Sequence, residues 1–153
     1  MRAFRMRGMT LAARPAIVIA TAVTAWKATV ERHPLIMTTA ELRCLRERLG
    51  LTPGALAAAI GRSERNVRRW ENGEQRISRD TADAMIALAA FTDAAVDALV
   101  EAAPATITVY RDDAAFRALE DTGGRVLSAA WHRMVAVRAA ERSPNSVITY
   151  RGE

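Results

Sequence analysis

Cysteine is nearly absent from this chain. Cys44 stands alone among 153 residues, so neither a disulfide framework nor a thiolate metal cluster can form within one chain. Histidine is almost as scarce, and His33 and His132 lie far apart without ligand-like neighbours. No metal and no cofactor is expected, and a reducing, cytoplasmic setting is the default. The apolar run from Ala16 to Trp26 is too short to span a bilayer, which argues against a membrane partner. Catalytic groupings are missing too. Asp112, Asp113, Ser128 and His132 show no catalytic spacing, so an enzyme is not expected. There is no internal repeat and no low-complexity tract.

What is present is a core and a lopsided charge. Half the residues are apolar, enough to bury one ordinary domain or a small head with a second module. The net charge of +5 is unevenly spread. Residues 1–36 carry six bases against one acid, and residues 37–79 carry nine arginines against five acids. Residues 80–121 reverse the sign, with nine acids against two arginines, and residues 122–153 return to five arginines against two acids. A local basic region followed by an acidic one fits a binding head attached to a non-binding module.

Residues 1–36 have the form of a leader, with arginines ahead of an apolar middle and Ala20-Thr21-Ala22 resembling a cleavage site. The basic head that follows it is of the kind that binds an acidic partner inside the cell, which argues against export. The segment is therefore expected to be a poorly ordered N-terminal extension or a mis-assigned start. Met37 is the natural alternative beginning, because a helix start follows it at once.

From there the punctuation is regular. Thr38 to Glu41 forms a capping box, and a first helix with Leu42, Leu45 and Leu49 on one stripe ends at Gly50. Thr52 caps a second helix with Pro53 at its first position and Leu56 and Ile60 facing inward. Gly61 turns the chain, Ser63 caps a third helix, and Asn72-Gly73 closes it. Val67 and Trp70 share the inner face of that third helix, while Arg62, Arg65, Arg69 and Asn72 gather roughly opposite. Such a face suits the major groove, where arginine reads guanine and asparagine reads adenine. Ser78 starts a fourth helix carrying Ala82, Met85, Ile86 and Ala89, which either breaks near Thr92 or runs on to Pro104.

After Pro104 the pattern changes. Residues 106–110 alternate and are β-branched, predicting a strand. Asp112 or Asp113 caps a short helix through Leu119 that Gly123-Gly124 ends. Val126 to Arg142 predicts another helix, and residues 146–150 a second strand. A two-stranded βααβ unit is marginal alone, so it must complete its core against the fourth helix or against a second copy.

The stretch from Leu51 to Gly61, followed by Ser63, Val67 and Arg69-Trp70-Glu71-Asn72-Gly73, resembles the Cro/C1-type helix-turn-helix domain of the XRE family. The resemblance implies that the N-terminal half of the third helix faces the bases. On matching positions Ser63, Glu64, Arg65, Asn66 and Arg69 become contact candidates, Arg65 and Arg69 for guanine and Asn66 for adenine or a phosphate. Arg62, Arg68 and Arg76 are assigned to phosphates, as is the helix start at Thr52. Pro53 departs from the polar residue usual there, which puts one phosphate contact in doubt. Glu64 suits either cytosine or the helix N-terminus. The resemblance further implies that Glu71 turns inward to pair with Arg46, while its spacing from Val67 makes Trp70 core.

The order of the whole chain is similar to the anti-CRISPR-associated (Aca) and YdiL-like repressors, which implies a dimerising C-terminal module with Tyr110, Phe116, Leu119, Leu127, Trp131, Val135 and Tyr150 in its core and interface. The expected fold is mainly α, with residues 37–103 as a four- or five-helix helix-turn-helix domain and residues 104–153 as an α+β dimerisation module. The expected function is a dimeric autorepressor on a palindromic operator in double-stranded DNA. The alternative is an antitoxin whose module binds a toxin partner.

Overall fold

The computed structural model describes residues 37–153; the reading of residues 1–36 as an extension or mis-assigned start lies outside the described residues. Among the described residues, a short polar side chain starts every helix. The Thr38 hydroxyl accepts from the Glu41 N–H at 3.1 Å, and the Glu41 carboxylate accepts from the Thr38 N–H at 2.6 Å. That capping box opens α1 (Thr39–Arg48). Thr52 opens α2 (Pro53–Ala59), Ser63 opens α3 (Glu64–Glu71), and Ser78 opens α4 (Arg79–Ala102). Asp112 then caps α5 (Asp113–Leu119) and Ser128 caps α6 (Ala129–Arg142). Each capping oxygen satisfies a first-turn N–H that would otherwise lack a partner.

The two strands, β1 (Thr106–Val109) and β2 (Val147–Tyr150), pair in parallel, with Thr106 opposite Val147 and Val109 opposite Tyr150. A parallel pair needs a long crossover, and α5 with α6 supplies it. Ile107 and Val109 point into the core, where they meet α6.

One apolar cluster runs through the described chain. Leu42, Leu45 and Leu49 of α1, Leu56 of α2, Val67 and Trp70 of α3, and Met85 of α4 fill its N-terminal part. Leu88 and Val96 of α4 continue it toward Phe116, Trp131, Val135 and the strand. The small sheet thus completes its core against α6, and α6 packs on α4, within a single chain. Charge follows the same path. Asp93 on α4 receives Arg48 of α1 at 3.1 Å and Arg138 of α6 at 2.7 Å, and Asp97 receives Arg142 at 2.6 Å. The acidic stretch is therefore neutralised in part by the arginines it packs beside. Among the described residues no helix is long and apolar enough to cross a membrane.

Of the two readings of the fourth helix the long one holds: the buried Thr92 hydroxyl donates to the Leu88 carbonyl at 2.8 Å, and α4 runs unbroken for 24 residues in all. Other expectations about the elements need correction. The last helix begins at Ala129, because Ser128 caps it by accepting from the Trp131 N–H at 3.1 Å. Val126 lies outside it and is exposed. The short helix runs through Leu119 as expected, but its C-cap is Glu120 and not Gly123-Gly124, and Leu119, expected in the core, is 52% exposed. Within that two-turn helix only Phe116 is buried, and Leu119 lies past the contact.

Candidate nucleic-acid interface

The turn between α2 and α3 decides how α3 is presented. Gly61, at φ +65°, gives its N–H to Ala58 and lets Arg62 reach back to Ala57 at 2.8 Å, closing α2. Gly73, at φ +75°, ends α3 in the same way: its N–H meets Trp70 at 3.1 Å and the Glu74 N–H meets Arg69 at 2.9 Å. A side chain at either glycine would face the strain of left-handed backbone.

Between those marks α3 divides cleanly. Val67 is fully buried, and Trp70 and Glu71 nearly so. Burying a side chain such as Val67 is worth about 1.5–3 kcal/mol, which anchors the helix from behind. Glu71 sits in an ionic clasp. Arg46 donates to it through Nε at 2.5 Å and Nη2 at 3.2 Å, and through Nη1 to the Leu51 carbonyl at 2.8 Å. Arg43 adds a longer contact at 3.6 Å. The pairing expected between Arg46 and Glu71 is present, and it ties α3 to α1 and to the loop before α2.

The outward face carries the candidates. Glu64, Arg65, Arg68, Arg69, Asn72 and Glu74 line one open, shallow depression. Arg65 is exposed and has no hydrogen-bond or ion-pair partner among the described residues, and the same holds for Arg76. Among the described residues the Arg62 side chain bonds only the Gly61 carbonyl, at 3.4 Å. Asn66 is half-buried at the edge of the face. Arg68 and Arg69 are engaged: Arg68 with Glu64 at 2.6 Å and Arg69 with Glu74 at 3.8 Å. The hydroxyls of Thr52 and Ser63 are spent on capping, accepting from Ala55 at 3.1 Å and Asn66 at 3.3 Å.

Two members of this surface lie outside the expected contacts. Asn72 belongs to the outward face by its spacing, and it donates to Glu74 at 3.1 Å. Glu74 lies beyond the helix, and the Gly73 turn folds it back beside Arg69. A glycine one place past a helix end is the signal in the sequence for that return.

The polar residues of the C-terminal part have structural occupations. Asp112 caps α5, and Asp113 accepts from the Ala129 N–H at 2.8 Å. His132 stacks against Phe116 with ring centres 5.2 Å apart, beside Tyr110 and Trp131. Burial pushes its imidazole below the usual 6.5.

Residues 39–99 match the family described as a helix-turn-helix domain. The match covers α1 to α3 and nearly all of α4, so the segment that carries the arginine-lined face is similar to helix-turn-helix domains. None of the curated proteins compared with the chain matched it.

Proposed function

We propose that the protein is a dimeric transcriptional repressor, acting on its own operon, that reads a palindromic operator with α3 in the major groove. The observation that carries this is the division of α3, with Val67, Trp70 and Glu71 held inside and Arg65 displayed outward without a partner among the described residues. Arg65 and Arg69 are assigned to guanine and Asn66 to adenine or a phosphate. Ser63 and Glu64 border the same contact. Arg62, Arg68, Arg76 and the backbone N–H groups at the Thr52 end of α2 hold phosphates.

The size of the head and the surface of residues 104–153 support the dimer. One small head makes few contacts, and two heads reading half-sites about 10 bp apart gain affinity through effective concentration. Val137, Val147 and Ile148 are exposed apolar residues on α6 and β2, and they favour this part as the interface. Such a protein acts where the DNA is, in the cytoplasm.

The test is binding to DNA from upstream of its own gene, against random duplex, across a salt series. Arg65→Ala is expected to cost about 1–3 kcal/mol on the operator and little on random DNA. Arg76→Ala should weaken both alike and lower the salt slope by about one. Saturation at one chain per operator would remove the dimer, and indifference to sequence would remove the repressor.

A further inference from the structure

The DNA-facing surface contains its own anions. Glu64 Oε1 accepts from Arg68 through Nη2 at 2.6 Å and Nε at 3.0 Å, a two-pronged clasp one helical turn long. The same carboxylate rests on the start of α2, where a Cβ at Gly54 would stand 2.8 Å from Glu64 Oε2. Glu74 closes the other end, accepting from Asn72 at 3.1 Å and lying 3.8 Å from Arg69 Nε. Arg65, in the same depression, has no such partner among the described residues.

We propose that Glu64 and Glu74 are specificity-determining residues that hold down the attraction of the head for DNA at large. The inference rests on the operator reading above. Its physical basis is a competition. Non-specific binding comes from arginines taking phosphates, and its strength grows with the number of counterions released. An arginine already clasped by a carboxylate gains less from a phosphate. Once it moves, the abandoned carboxylate faces the negatively charged backbone well within a Debye length. On the operator, Arg65 and Arg69 reach for guanine edges instead of phosphates, so α3 is held in a register that keeps the carboxylates farther from the backbone, and they repel it less than they do on random DNA. The pairs are exposed, so each clasp is weak enough to open. Glu64 grips more tightly than Glu74, and its removal should have the larger effect.

Glu64→Gln and Glu74→Gln keep the shape and remove one negative charge each. Glu141→Gln makes the same change in net charge on the exposed side of α6, away from this surface. Operator and random-duplex affinities of the full chain are measured for all four proteins across a salt series. Glu64→Gln is expected to raise random-DNA affinity by about three- to tenfold, with a smaller rise on the operator, so that discrimination falls. The salt slope on random DNA should steepen by up to about one per arginine released. Glu74→Gln should do the same more weakly, and Glu141→Gln should leave discrimination at the wild-type level. If the Glu64 and Glu74 variants move random-DNA affinity no further than Glu141→Gln, the proposal is wrong. Weaker operator binding in Glu64→Gln with random binding unchanged would also overturn it, because Glu64 would then read cytosine directly. Wild-type protein that does not distinguish the two DNAs would overturn the operator reading instead.

Discussion

Arg46 does more for the presentation of α3 than any residue that could touch DNA. Its guanidinium joins three elements, bonding Glu71 of α3 and the Leu51 carbonyl before α2 from its seat on α1. Both charged side chains are nearly out of solvent, at 11% and 5% exposure. Removing one partner of such a pair strands the other charge without compensation. Arg46→Ala is therefore expected to destabilise the fold by about 3–5 kcal/mol in urea unfolding. Arg43, at 3.6 Å from Glu71, recovers only part of that loss, because it is half exposed. A cost below about 1 kcal/mol would show that the clasp is incidental to stability.

At the scale of the element, α4 decides the architecture because it does not stop. Thr92 is a poor residue for a helix interior, and its hydroxyl bonds back to Leu88, four residues earlier, at 2.8 Å. The same oxygen accepts from the Trp131 indole N–H at 3.0 Å, which links α4 to α6 inside the core. Thr92→Val keeps the shape but leaves that buried N–H without a partner. We expect a loss of about 1–3 kcal/mol in thermal or denaturant unfolding. An unchanged midpoint would mean that Trp131 is held by packing alone, including its stacking on Phe91 at 5.9 Å.

At the scale of the whole molecule, α4 joins the two parts of the described chain through one apolar cluster. Its first half belongs to the head, and its second half is a wall of the core that β1 and α6 complete. Asp93, between Arg48 and Arg138, bridges the two sides, and Met134 of α6 packs against Gly50. Calorimetric unfolding should therefore give one transition whose calorimetric and van't Hoff enthalpies agree. Two resolved transitions would show that the head and the C-terminal part unfold separately.

Most of the head is legible in the amino-acid sequence, because its determinants are local. Caps such as Thr38, Thr52 and Ser63, the glycines that close α2 and α3, and the spacing of Val67 and Trp70 act within a few residues of chain. They sort α3 into an inner face and an outer one. What they do not supply is anything resting on contacts distant in sequence. The tie between α4 and α6 depends on Trp131, which arrives 39 residues after Thr92 to share its hydroxyl. The parallel pairing of β1 with β2 depends on the crossover between them. The exposure of Leu119 depends on where α6 ends its contact with α5. On α3 itself, residue types and spacing name the arginines, but only the folded surface decides which are free and which are clasped. The Glu64–Arg68 pair has helical spacing, whereas Glu74 reaches Arg69 only because the chain reverses at Gly73. Local chemistry determined the helices and their faces, and tertiary packing determined which charges meet, since a carboxylate neutralises an arginine only where the fold brings the two together.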